Sequence, residues 1–175
     1  MQTASGLSIS LSMNTEAAEL ISRLGLEPLP GEGGFFRSTW TCRDRDPNGR
    51  PLGSAILFLI TPDGFSALHR LRTDELWFHH AGDPAELALL DPRTGTSETA
   101  LLGPDVTGPH RPFVLAPAGV WQGARIAPGP AGRGWSLFSC TLSPAWDERE
   151  FELGESGPLC RQFPSQARII RELTR

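Results

Sequence analysis

Between Ser54 and Leu142 the chain breaks into short apolar or alternating runs, each closed by residues that turn the backbone. The runs cover 54–60, 66–71, 75–80, 86–90, 98–102, 113–116, 121–126 and 136–142. The breaks between them include Pro62-Asp63-Gly64, Ala81-Gly82-Asp83-Pro84, Pro92-Arg93-Thr94-Gly95 and Pro117-Ala118-Gly119. Strand-length segments at this regular spacing satisfy their backbone hydrogen bonds by closing into an antiparallel sandwich or barrel. Upstream, residues 35–40 are also β-rich. The charged stretch from Arg43 to Arg50 carries Asn48-Gly49, a hairpin signal.

Helices are expected only at the two ends. Thr15 is suited to cap a helix in which Ala17, Leu20, Ile21 and Leu24 share one face, and Gly25 stops it. Near the other end Ser165 can cap a second helix with an apolar stripe of Ile169, Ile170 and Leu173, and 154–162 reads as a loop leading to it. The expected organisation is a flexible tail over 1–14 and one domain over 15–175.

Several function classes are disfavoured. The net charge is −4 and no basic run is present, so nothing points to nucleic acid. The longest apolar run, 55–60, is too short to span a bilayer. The stretch from Met1 to Ser12 lacks the basic and apolar regions of a signal peptide. Three cysteines with no CxxC pair argue against a disulfide framework or zinc ribbon and for a reducing cytoplasm.

The chemistry concentrates between Gly64 and Gly82. His69 and Leu71 share one face of a strand, and Glu75, Trp77 and His79 share a face of the next. If both faces point inward, His69 and Glu75 meet across the hairpin. A second hairpin through Pro117-Ala118-Gly119 brings in Gln122.

These residues resemble the cupin superfamily. His69, Glu75 and Gly82 stand in the register of its first motif, and Pro117-Ala-Gly119-Val-Trp-Gln122 in that of its second. Gly33-Gly-Phe-Phe-Arg37, Asp74-Glu-Leu-Trp77, Ala81-Gly-Asp-Pro84 and the Phe163-Pro to Leu173-Thr-Arg ending are similar to one subfamily, cupin_5 or DUF985, along nearly the whole chain. The resemblance implies a mainly β double-stranded β-helix, or jelly roll, often dimeric, with relatives described as similar to sugar-nucleotide epimerases. Phe35, Phe36 and Trp40 are candidates for pairing across a homodimer axis.

The chain departs from the superfamily pattern at positions that matter. Leu71 stands where a second metal-ligand histidine is expected and Gln122 where the second motif has its histidine. Asp63 and Arg111 replace motif glycines, and Ile126 replaces an asparagine. A three-histidine metal site cannot form from these positions. His69, Glu75 and Gln122 remain the candidate ligands for a weakly held divalent transition metal, a side-chain amide being a poor donor. Without metal, Glu75 can orient His69 as an acid/base for epimerisation or isomerisation beside a carbonyl. Arg37, Trp77, His79, His80 and Gln122 are the candidate substrate contacts. The expected function is thus a cytoplasmic cupin acting on a small polar metabolite such as a sugar-nucleotide. The alternatives are a metal-dependent oxidoreductase or dioxygenase and a non-enzymatic small-molecule binder.

Overall fold

The computed structural model describes residues 14–129 and 132–175. The tail expected over 1–14 lies outside the described residues apart from Asn14. That residue caps the first helix, α1 (Thr15–Leu24), its side chain accepting from the Glu16 N–H at 2.8 Å. The cap is therefore Asn14 rather than Thr15, which already has its place in the first turn. Gly25 closes the helix in the left-handed conformation, φ 62°, as its position suggested.

Among the described residues eleven strands follow the helix: β1 (Glu27–Pro28), β2 (Phe35–Thr41), β3 (Ser54–Ile60), β4 (Ser66–Arg70), β5 (Glu75–Gly82), β6 (Ala85–Leu90), β7 (Ser97–Leu102), β8 (Phe113–Ala116), β9 (Trp121–Ile126), β10 (Ser136–Leu142) and β11 (Glu152–Leu153). They form two antiparallel sheets, a six-stranded one in the order β1-β2-β3-β10-β5-β8 and a five-stranded one in the order β11-β4-β9-β6-β7. This is the mainly β jelly roll that the turn spacing and the motifs led one to expect.

Alternation decides what each strand gives to the interior. Phe58 and Ile60 of β3, Trp77 of β5, Leu87 and Leu89 of β6, and Phe138 of β10 meet between the sheets. β6 is apolar on both faces because Ala88 and Leu90 bury on the other side. There the five-stranded sheet is covered by Leu159, Phe163, Ile169, Ile170 and Leu173. Leu159 belongs to a helix, α2 (Ser156–Gln162), in the segment expected to be a loop. Gly157 and Pro158 obscure it in the sequence. A proline in a first turn loses only an N–H that has no helical partner, and burial of Leu159 holds the turn on the sheet. Ser165 falls in a short 3₁₀ turn, Pro164–Gln166, and α3 (Ala167–Glu172) has no side-chain cap. On the other sheet α1 packs Ala17 against Leu26, Leu59 and Trp135. Among the described residues no helix is long and apolar enough to cross a membrane.

One ion pair ties two loops at the mouth of the barrel. Asn48-Gly49 makes the expected turn, with Gly49 at φ 86°. Beyond the turn, Arg50 grips Glu150 with two bonds of 2.9 and 3.1 Å, and reaches the Ala145 carbonyl at 2.7 Å and Thr73 Oγ1 at 3.2 Å. The pair is largely shielded from water, so the bidentate geometry contributes more than an exposed pair would. Arg50→Ala is expected to cost about 1–2 kcal/mol in urea denaturation. A loss below a few tenths would mean that the loops are held by packing alone.

Candidate functional site

One end of the barrel opens into a cavity of about 550 Å³, a size that suits a small-molecule ligand. Its walls are mostly apolar, with Phe36, Ile56, Phe58, Leu71, Trp77 and Leu142 among them. Among the described residues, the ionisable acids and bases that line it, cysteine aside, are Glu32, His69, Glu75 and Glu148, with no lysine or arginine.

His69 sits on β4, 2% exposed, and its ring stacks on Phe151 with centroids 5.3 Å apart. Its Nδ1 lies 2.8 Å from the Ala67 carbonyl. A carbonyl only accepts, so Nδ1 carries a hydrogen. Nε2 stands 3.9 Å from Glu75 Oε2, too far for a direct hydrogen bond. On the opposite side Glu32 Oε1 is 3.8 Å from Nδ1. Burial by itself would push the imidazole pKa down. The two carboxylates and the Ala67 carbonyl outweigh it and hold the group up, to about 9. Burial raises the Glu32 carboxyl above the usual range, against the opposing pull of His69.

Glu75 and Gln122 come together as the hairpin argument required, but Gln122 does not face the cavity. Its Oε1 accepts from the Trp77 indole at 2.9 Å and its Nε2 donates to Glu75 Oε2 at 2.7 Å. An indole N–H can only donate, so the amide orientation is fixed. The register explains the cluster. Gln122 pairs with His69 across β4 and β9, and Cys140 pairs with Trp77 across β10 and β5.

Of the remaining candidates, one reaches the cavity and three lie elsewhere. Trp77 lines the cavity. Arg37 is exposed, its side chain near Gly25 at the end of α1, because alternation on β2 sends Phe36 and Ser38 inward. His79 packs edge-on against Phe138, away from the cavity lining, with Nε2 at 3.2 Å from the Asp83 carbonyl, and burial lowers its pKa. His80 is exposed and bonds Ser139 Oγ at 2.6 Å. Of the aromatics considered for a dimer face, Phe35 packs with the α1 cluster and Phe36 lines the cavity, while Trp40 is 52% exposed.

Glu32 was missing from the sequence reading. It precedes β2 in a glycine-rich turn, where an acid looks like a solvated loop residue. In the fold it is buried, takes the Ser66 hydroxyl hydrogen at 2.7 Å, and faces His69. Its only signal was its place directly before the Gly33-Gly-Phe-Phe-Arg37 segment that resembles the subfamily.

The donor set does not fit a metal ion. Leu71 puts an aliphatic side chain on the cavity wall, and both polar ends of the Gln122 amide are taken by Trp77 and Glu75. His69 Nδ1 is committed to Ala67, which leaves Nε2 and the Glu75 carboxylate as two donors, short of a metal shell. Among the described residues no group of three or more His, Cys, Asp or Glu is arranged to hold a metal.

Comparison with known proteins agrees with this architecture. The family model described as "Cupin superfamily (DUF985)" matches residues 18–154. Protein SO0799 from Shewanella oneidensis is similar at 32% identity and TM-score 0.82, over 93% of this chain and 98% of that one. A hypothetical protein from Leishmania major is similar at 31% identity and TM-score 0.81, over 90% and 98%. Bacillus subtilis oxalate decarboxylase, described with Mn(II) centres, shares the fold at 14% identity and TM-score 0.52, over 85% of this chain and 37% of that one. No curated protein matches. With the two sheets, the motif residues at the cavity and the matched family in agreement, this chain belongs to the DUF985 (Cupin_5) family of the cupin superfamily.

Proposed function

We propose that the protein catalyses proton transfer beside the carbonyl of a small metabolite, as an isomerase or epimerase that needs no metal. The observation that carries this reading is a buried imidazole set between two carboxyl groups at the wall of an otherwise apolar cavity. Groups whose environments push their proton affinities apart are suited to acid and base roles. The sequence suggested His69 as the base. Held up to about 9, it is charged at neutral pH and better suited as the acid. Its Nε2–H would protonate the carbonyl oxygen. Glu75, 3.9 Å from Nε2, would take the proton from the neighbouring carbon and deliver it to the former carbonyl carbon, while the second hydroxyl of the enediol gives its proton back to His69. Glu32 would act from the Nδ1 side to keep the imidazolium charged.

The cavity also narrows the substrate. A sugar-nucleotide diphosphate would find no lysine or arginine among the described lining residues, and three carboxyl groups around the one imidazolium. We therefore place the substrate among small carbonyl compounds without anionic groups.

The test is deuterium incorporation from heavy water beside the carbonyl of small hydroxyketones and aldoses, followed by proton NMR. His69→Gln is expected to slow incorporation about a hundredfold. An unchanged rate in the folded variant would rule out the assignment.

A further inference from the structure

We infer that the cavity selects a cation, a ligand bearing one protonated amine on an apolar body. The inference deepens the proposed function by naming the substrate class, an amine-bearing carbonyl compound, and its selectivity is measurable without any reaction.

Three observations carry it. The lining presents the carboxyl groups of Glu32, Glu75 and Glu148 against one imidazole. The guanidinium at the mouth, Arg50, is already engaged by Glu150, Thr73 and the Ala145 carbonyl. The walls offer aromatic faces from Phe36, Phe58, Trp77, Trp146 and Phe151, and a cation is attracted to such faces in a water-poor setting. An anion would meet three carboxyl groups, with His69 as the one positive partner among the described lining residues. A neutral ligand would leave three carboxyl groups sharing one imidazolium. An ammonium group gives them a further positive partner, and its three N–H donors match carboxyl oxygens that act as acceptors. The acids also differ in depth, since Glu32 and Glu75 are buried whereas Glu148 is exposed. A cation is therefore drawn from the mouth inward toward Glu32 and Glu75 rather than toward the imidazolium itself.

Benzylamine, benzyl alcohol and benzoate share one ring and differ in charge. Their binding at neutral pH can be followed by isothermal calorimetry and by tryptophan fluorescence, since Trp77 and Trp146 both line the cavity. Benzylamine is expected to bind at least about tenfold more tightly than benzyl alcohol, the margin of one charge-assisted hydrogen bond, with benzoate weakest. Leu71→Trp fills the cavity from its wall and is expected to abolish benzylamine binding. The inference is overturned if benzyl alcohol or benzoate binds as tightly as benzylamine. It is equally overturned if benzylamine fails to bind at millimolar concentration, or binds the folded Leu71→Trp variant unchanged. Deuterium exchange on uncharged carbonyl compounds can succeed or fail whatever this selectivity proves to be, so the two readings fall separately.

Discussion

Trp77→Ala is expected to lower the unfolding free energy by about 4 kcal/mol, the usual cost of removing a large buried aromatic side chain. Trp77 is 1% exposed and is held edge-on by two rings, Phe58 with centroids 5.7 Å away and Phe138 at 5.6 Å. Alanine leaves a void bounded on one side by a ligand-sized cavity, so collapse of the neighbours would recover little. The substitution also orphans Gln122 Oε1, a buried acceptor with the indole as its partner. Trp77→Phe separates the two contributions. It keeps most of the ring volume and removes the donor, and it is expected to cost about 1–2 kcal/mol. Urea denaturation with matched slopes measures both. A Trp77→Ala loss below about 1.5 kcal/mol would mean that the indole is a mobile cavity wall rather than a keystone of the site.

That keystone role was only partly legible in the sequence. Turn residues delimited the strands closely because each Pro/Gly cluster physically ends a ladder, so β3, β8, β9 and β10 fall where the apolar runs place them. His69, Glu75 and Trp77 could be placed together because side chains alternate on a strand and the hairpin between them is short. Gln122 was placed in the right cluster, but its direction depends on which donor meets its oxygen, and that is a tertiary fact. Glu32 was hidden because a loop carries no periodicity. Only the closure of the sheets brings it to 3.8 Å from His69. Arg37 was misplaced for a related reason. A double glycine before a strand does not say which face the next residue takes, and here Phe36 takes the inner one. Helix α2 was missed because local propensity at Gly157-Pro158 opposes it while burial of Leu159 decides it.

The acid–base cluster makes stability itself depend on pH, in a direction that can be worked out. His69 has an ordinary pKa of 6.5 in the unfolded chain and about 9 in the fold. The folded state therefore binds the proton more tightly, and stability from this source is fully present below about pH 6.5. As pH rises from 6.5 toward 9 the unfolded chain has already lost its proton while the folded one still holds it, and the advantage drains away. It is gone once the folded group deprotonates. Integrated across that interval the loss is about 3 kcal/mol. Glu32, also raised by burial, acts with the same sign. Denaturation midpoints measured at half-unit intervals from pH 6 to pH 10 are expected to fall steadily through this window and then level off as far as His69 is concerned. His69→Gln should be less stable at pH 6, and its profile between 6.5 and 9 should be nearly flat. A wild-type profile equally flat in that window would mean that the imidazole is neutral in the fold. It would return His69 to the role of base and leave Glu75 without a charged partner.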